Sequence, residues 1–509
     1  MMEKMKRYTG RKMLCLMMAV VCLAGCSARE DAGAQVTLPP PAAPLLSPQN
    51  DVNQSSEQTV LLYLPALDGT RLSAVPAPAS LSISRHSAEK LCQLLFDAPG
   101  NGAVSPLPED VQLSGTQPVE VSGDVATVSL AASALRLSHE ELFVVCQAIA
   151  NTLCQFGDVQ YVNVLINGVQ PGLDVAATLP AGCFQENTRD DLATLWNRAA
   201  SGKTASRHTV AAALYYPAAG ARGVVCEARP LSFDSLEEGD MLRTLLAALH
   251  AGPVSLQGLP SFPDFQEYLA APPQVSHENG SRRAVLHFDT ALNAAIIENG
   301  ITRSVMVASL VYTITTFMPG VEGVEIRIGE ETITSLTPSA TYTGAGETIT
   351  FDHALMRRGD FAPFLLDGCT LYFANGEGKL CPVTRMVPFY ESRNVRSIIN
   401  QLIRGSQAYD SREKLQPVLP EGLRDADLIG VAFSGDTLVL NFSEKLMELC
   451  QGMDQAAEGR MIYAMVNSLC ALQGVKRVQF LVNGAQPETL AGYMYLPGSF
   501  FPNQDLVAK

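Results

Sequence analysis

The chain has 509 residues, of which 17% are charged and 47% hydrophobic, and its formal net charge is −15 at pH 7. A charged fraction below the usual ~25% places most of the chain in folded domains, and the length holds three or four domains of about 100–150 residues. The acidic balance excludes a nucleic-acid partner, because phosphate contacts need clustered Lys and Arg.

The chain opens with Lys4, Lys6, Arg7, Arg11 and Lys12, followed by the apolar run Met13–Ala24. A bilayer span needs about 20 apolar residues, so residues 1–25 read as a signal peptide. The run ends in Leu23-Ala24-Gly25-Cys26, which resembles the lipobox of bacterial lipoproteins. That resemblance implies cleavage before Cys26, lipid attachment at Cys26, and a mature protein held on the outer face of the bacterial cytoplasmic membrane. Residues 26–58 are rich in Pro, Ala, Ser and Gln and lack any hydrophobic period, as expected of a disordered tether.

A first domain is expected over residues 59–184. Val60–Leu64 and Arg71–Val75 read as strands around a turn at Asp68-Gly69, and Ser87–Phe96 as a short helix with Leu91, Leu94 and Leu95 inward. Gly123–Leu130 is a strand. Leu142, Cys146, Ile149, Leu153 and Phe156 then recur at helical spacing, and a strand starts at Val159. Ser138 is the expected N-cap of that helix, with Glu140 and Glu141 suiting its dipole, which gives His139 a structural position rather than a catalytic one. Residues 185–207 are a linker in which Leu192, Leu195 and Trp196, the only tryptophan, predict a short helix packed on a domain.

The second domain is expected over 208–335, with a hairpin of His208–Tyr216 and Arg222–Ala228, a helix at Met241–Leu249, a strand at Arg283–Phe288, a helix at Met306–Phe317 and a strand after Pro319. Residues 254–280, rich in Pro and Phe, read as an insertion. After a linker over 336–366, the third domain spans 367–509. Thr370–Phe373 and Lys379–Val383 form its hairpin, Val395–Ile403 its first helix and Thr437–Phe442 a strand. Met461, Met465, Leu469 and Leu472 predict a helix with one buried stripe, and Val478, Phe480 and Val482 a strand ending at Asn483-Gly484.

Val159, Val321 and Val475 stand at the same point of three successive helix–turn–strand units, 162 and 154 residues apart. A repeat at a nearly fixed period marks a repeated structural unit. The fold class is therefore α+β: three tandem small domains, each β-β-α-β-β-α-β.

Once the leader and Cys26 are set aside, nine cysteines remain. Cys154 and Cys470 occupy equivalent helix positions and read as small buried hydrophobes. Cys369 and Cys381 flank the Asn375–Gly378 turn and are candidates for a disulfide across the hairpin, with two reduced thiols as the alternative. No C-x-x-C, H-E-x-x-H, G-x-S-x-G or phosphate-binding loop occurs, so no metal site, catalytic residue or cofactor is assigned. Arg358-Gly359-Asp360 reads as a chance tripeptide.

Several stretches resemble the GerMN domain of sporulation and spore germination proteins: TLYFANGEGKLCPVTR (370–385), RSIINQLIRGS (396–406), LQPVLPEGL (415–423), DTLVLNFSEKL (436–446) and GVKRVQFLVNG (474–484). The first repeat carries the resemblance through TVLLYLPALDGTRL, GDVATVSL and VQYVNVLING, whereas the second departs from it, with Gly329-Glu330 where the others have Asn-Gly. The resemblance implies a domain similar to ring-building folds, with helices packed on one face of a sheet, and a non-enzymatic lipoprotein that binds envelope or sporulation-complex proteins; no cofactor is expected, and a small-molecule ligand is not favoured. The alternative is an envelope ligand receptor or an accessory lipoprotein of a membrane sensor kinase.

Overall fold

The computed structural model describes residues 55–82, 87–115, 118–156, 159–200, 207–220, 222–256, 258–339, 341, 346–407, 410, 414–472 and 474–508. The expected signal peptide, Cys26 and all but the last residues of the expected tether lie outside them. Residues 55–58 belong to the first strand, because Glu57 and Gln58 continue the hairpin ladder opposite Ser80 and Ala79.

Three copies of one unit follow in order. The first has β1 (Ser55–Pro65), β2 (Leu72–Ser82), α1 (Ser87–Phe96), β3 (Val119–Ser122), β4 (Val125–Leu130), α2 (His139–Leu153) and β5 (Tyr161–Ile166), and is followed by α3 (Leu192–Ala200). The second has β6 (His208–Pro217), β7 (Val224–Phe233), α4 (Glu238–His250), β8 (Gln274–Glu278), β9 (Ser281–Phe288), α5 (Leu292–Glu298), α6 (Arg303–Phe317) and β10 (Gly323–Ile328). The third has β11 (Leu366–Ala374), β12 (Leu380–Pro388), α7 (Val395–Ile403), β13 (Leu428–Ser434), β14 (Thr437–Phe442), α8 (Lys445–Cys450), α9 (Gln455–Leu469) and β15 (Arg477–Val482).

The element order is the expected one except for a short extra helix, α5 or α8, before the long helix of the second and third units, but the strands of each unit divide into two sheets rather than one. The first two form a separate antiparallel hairpin; the last three form a mixed sheet with β4, β9 or β14 in the middle. That middle strand runs antiparallel to the strand before it and parallel to the last one, so the long helix is the crossover between parallel neighbours. In the second unit Glu331–Thr332 adds a fourth strand to the sheet.

This division explains a second departure from expectation. The long helix packs both on the hairpin and on the last strand of the mixed sheet, so it is buried on more than one stripe. In α6 every residue from Ser304 to Phe317 is buried. Hydroxyls on the helix also close the free edge of the first hairpin strand. The Tyr63, Tyr215 and Tyr372 N–H groups donate to Thr152 Oγ1 (3.1 Å), Thr313 Oγ1 (3.1 Å) and Ser468 Oγ (3.0 Å). The second hairpin strand is broken by proline instead, at Pro76 and Pro78, Pro230, and Pro382; proline removes the ladder donor and so blunts an edge.

Residues 254–280 are not an insertion. The connection from first helix to third strand is 22, 23 and 24 residues long in the three units, and Gln274–Glu278 is the third strand itself. Its Pro- and Phe-rich composition hid the equivalence, since Phe262 and Phe265 are core residues stacking towards Phe288. The shorter first unit is explained by a 3₁₀ turn at Ala132–Arg136 where the others have α5 and α8. Asn167-Gly168 and Asn483-Gly484 both take positive φ at the tip of the last strand, while in the second unit Gly329 alone does so, at φ 59°. A two-residue turn with positive φ only at its first position suits Gly followed by Glu330, so the tip is kept by different residues.

Beyond each last strand the chain returns to bridge it: Phe184 on Val162, Met356 on Val324 and Phe500 on Val478. Each unit has its own apolar core. Among the described residues no single helix is long and apolar enough to cross a membrane; α5 and α6 together have the length and composition but are bent by 102°, and α6 lies in the core.

Candidate interaction surfaces

The expected Ser138 cap is present. Ser138 Oγ accepts from Glu141 N (3.2 Å), and Glu141 Oε2 accepts from Ser138 N (2.9 Å) and Ser138 Oγ (2.8 Å), the last two bonds lowering the Glu141 pKa. His139 opens α2 beside Leu173, Leu179 and Trp196, around a hollow of about 510 Å³. Leu192 and Leu195 of α3 are buried, and the Trp196 ring meets Phe143 edge-on at 5.5 Å, so the linker helix packs on the first domain. Among the described residues no group of three His, Cys, Asp or Glu is placed to hold a metal ion.

Cys369 and Cys381 do not face each other. In the hairpin register Cys369 is opposite Arg385, and Cys381 is opposite Phe373. The two are therefore offset by four residues along the ladder, about 13 Å, whereas a disulfide needs Cα atoms within about 7 Å. Symmetric flanking of a turn misled because that hairpin closes closer to Cys381. Cys369 is a buried thiol, pushed up to about 12 by burial.

One set of polar groups that the structure gathers lies where the three domains meet. The β3–β4 turn carries Ser122, Gly123 and Asp124. Ser122 Oγ donates to Leu366 O of the third domain and accepts from Cys226 N of the second at 3.3 Å. The Gly123 N–H donates to Asp367 Oδ1 (3.0 Å), and Asp367 also accepts from Gly368 N (2.8 Å) and Ser392 Oγ (2.7 Å). A Cβ at Gly123 would lie 2.7 Å from Cys226 O, and one at Gly223 would lie 2.4 Å from Phe364 O. Backbones approach here as closely as only glycine permits. Burial raises the Asp367 pKa to about 6. Burial also raises that of Asp124, against the nearby N–H groups of its own residue and of Ala228.

Arg358 crosses the same junction. Its guanidinium pairs with Glu120 on β3, donates to Thr316 Oγ1 (2.7 Å) and Tyr215 Oη (3.2 Å), and stacks over Tyr312 at 4.4 Å and Tyr215 at 5.5 Å. Burial opposes its charge, but Glu120, Tyr215 and Tyr312 together more than offset this, raising its pKa. Asp360 holds the turn by accepting from Arg357 N (2.7 Å). The tripeptide read as chance is thus a structural clamp. The buried run Phe361, Phe364, Leu365 and Leu366 beside it was the available signal.

On the third domain, Glu458 is fully buried, and its carboxylate accepts from the N–H groups of Leu490, Ala491, Tyr493 and Met494 at 2.8–3.0 Å. The loop so held presents Tyr493 and Tyr495, with Phe501 nearby in sequence; they are 55%, 69% and 61% exposed. A more polar hollow of about 990 Å³ lies between the β11–β12 turn and the C-terminal residues, lined by Glu377, Lys379 and Asp505 among others.

Comparison with known proteins gives matches to the family Germane, described as sporulation and spore germination, at residues 61–171 and 370–488. These are the first and third units. No curated protein matches the chain. Among solved structures, the chain is similar to the tandem GerMN domains of the sporulation protein GerM from Bacillus subtilis, with 18% identity over 59% of this chain and 99% of that one and a TM-score of 0.22. It is also similar to the first GerMN domain of that protein, with 16% identity over 28% and 97% of the two chains and a TM-score of 0.19.

Proposed function

From the premise that this chain is a sporulation- and germination-related protein of repeated GerMN domains, we infer that it is a non-enzymatic, lipid-anchored scaffold of the cell envelope. Its domains dock on other envelope or sporulation-complex proteins. The observation that carries the reading is the use of the buried polar groups. Glu120, Ser122, Arg358 and Asp367 are engaged in joining domains, which leaves rigid outer faces of differing chemistry. Several such faces on one anchored body raise avidity without strong single contacts. Cys26, at the end of an apolar leader, is the proposed lipid attachment site.

Two experiments test this. A crosslinked pull-down from sporulating cells should recover sporulation-complex components; absence of the protein from such cells, together with recovery of a sensor kinase, would overturn the sporulation reading. A Cys26→Ala change should release the protein from membranes, and its retention there would refute the anchor.

A further inference from the structure

The tripeptide Ser-Gly-Asp occurs twice at the same place in the repeat, as Ser122-Gly123-Asp124 and Ser434-Gly435-Asp436. Both form the two-residue turn of a hairpin, pairing Ser122 with Val125 and Ser434 with Thr437, with φ of 59° at Gly123 and 63° at Gly435. Both aspartate carbonyls accept from the start of the last strand. Asp124 O takes Gln160 N (2.8 Å) and Tyr161 N (3.0 Å); Asp436 O takes Lys476 N (2.9 Å) and Arg477 N (3.2 Å). The segments that return along the last strand also correspond, Gly182-Cys183-Phe184 with Gly498-Ser499-Phe500.

The first of these faces is occupied. Ser122 takes the outward N–H of Cys226 on β7, and the Asp124 carboxylate lies against that of Ala228, two residues along. Cys183 N donates to Ala211 O on β6 (2.7 Å), and Val125, Tyr161 and Cys183 join the core of the second domain. Among the described residues nothing covers the second turn, although β13 beside it contacts β1: Ser434, Gly435 and Gly498 are exposed, and a Cβ at Gly435 or Gly498 would meet nothing within 4 Å. We propose that the third-domain face built on Ser434-Gly435-Asp436 docks the edge of a β-hairpin from another polypeptide, as its first-domain counterpart docks β6–β7.

The partner's chemistry follows from the occupied copy. It offers two outward backbone N–H groups at alternate residues and small side chains beside the turn, like Cys226 and Ala228. Strand edges are recognised through the main chain in this way. Thr437, Arg477 and Ser499 replace Val125, Tyr161 and Cys183. These more polar flanks suit a partner that comes and goes, since permanent interfaces are more apolar. Arg477 also donates to Asp436 through Nε (3.1 Å) and Nη2, so binding includes displacement of that bond.

This deepens the scaffold reading and rests on it, yet can fail separately, because a pull-down could succeed through other faces. The probe is the chain's own hairpin, residues 208–233, backbone-cyclised and fluorescently labelled, titrated against the full chain by anisotropy. Gly435→Asn keeps a residue that tolerates positive φ but fills the contact, and should weaken binding at least tenfold. Arg477→Tyr frees Asp436 and restores the first-domain chemistry, and should tighten binding. No binding to the wild-type chain, or equal binding to all three proteins, would overturn the proposal. Self-association in sedimentation that disappears in Gly435→Asn would overturn the separate partner in favour of a second copy.

Discussion

The middle repeat and the two outer repeats share one order of elements and differ in what surrounds them. In the outer repeats a buried amide ties the long helix to the returning segment: Asn151 Oδ1 accepts from Asn187 N and Asn467 Oδ1 from Asn503 N, each at 2.9 Å. In the middle repeat the equivalent helix position is Tyr312, and the tie is the guanidinium of Arg358, from the returning segment, stacked over its ring at 4.4 Å. Its hairpin is gripped by the first domain, and Tyr215 stacks on Tyr312 at 4.8 Å while Phe233 stacks on Phe317 at 5.2 Å. The family match covers the outer repeats and not this one. A repeat whose edges have become interfaces is shaped by its neighbours as well as by its own core, and its sequence drifts accordingly.

The comparison breaks most readily at Glu120. Glu120→Ala leaves the Arg358 guanidinium buried without its carboxylate, and removing one partner of a buried pair costs about 3–5 kcal/mol. Ala432, the equivalent residue of the third domain, has no such role, so Ala432→Gly should cost no more than about 1 kcal/mol, the β-strand penalty for glycine. Chemical denaturation of both variants checks the contrast.

Asp367 gives the next effect, through pH. Its folded pKa, about 6, lies above its ordinary value of 3.8, so the folded state binds the proton more tightly. The stabilisation this gives is fully present below about pH 4 and is lost as pH rises through 6. A shift of this size corresponds to about 3 kcal/mol. Asp367→Asn can keep accepting from Gly123 and Gly368 and should remove this loss between pH 4 and 7. An unchanged pH profile would refute the burial account.

Asn151→Ala and Asn467→Ala sharpen the likeness of the outer repeats. Each leaves part-buried backbone groups of the returning segment unpaired, for about 1–3 kcal/mol at most, and the two losses should agree within 0.5 kcal/mol or so. Unequal losses in thermal melts would mean that the outer repeats are not equivalent in their cores.

Much of this was legible because local patterns are repeated. The helices at Ser87–Phe96 and Val395–Ile403 and the strand at Thr437–Phe442 stand where the spacing of Leu, Ile and Val puts them. The third strand of the middle repeat was hidden, since Gln274–Glu278 is a mostly exposed edge with no apolar alternation. The junction was hidden for a different reason. Glu120 and Arg358 are 238 residues apart, and nothing in a charged residue's own neighbourhood says that a partner will arrive from another domain. The doubled Ser-Gly-Asp could have been seen, but sequence alone does not say which copy is covered.

That last distinction is measurable with the mildest change. Ser122→Ala removes a hydroxyl that satisfies both Cys226 N and Leu366 O in a buried setting, and should cost about 2 kcal/mol. Ser434→Ala removes the same atom from an identical turn exposed to water, where surface substitutions stay within about 0.5 kcal/mol. Equal losses in urea denaturation would mean that the turns matter only for their own hairpins. Unequal losses assign the difference to the docked strand, because the two tripeptides fold alike and differ in whether a neighbour has been placed against them.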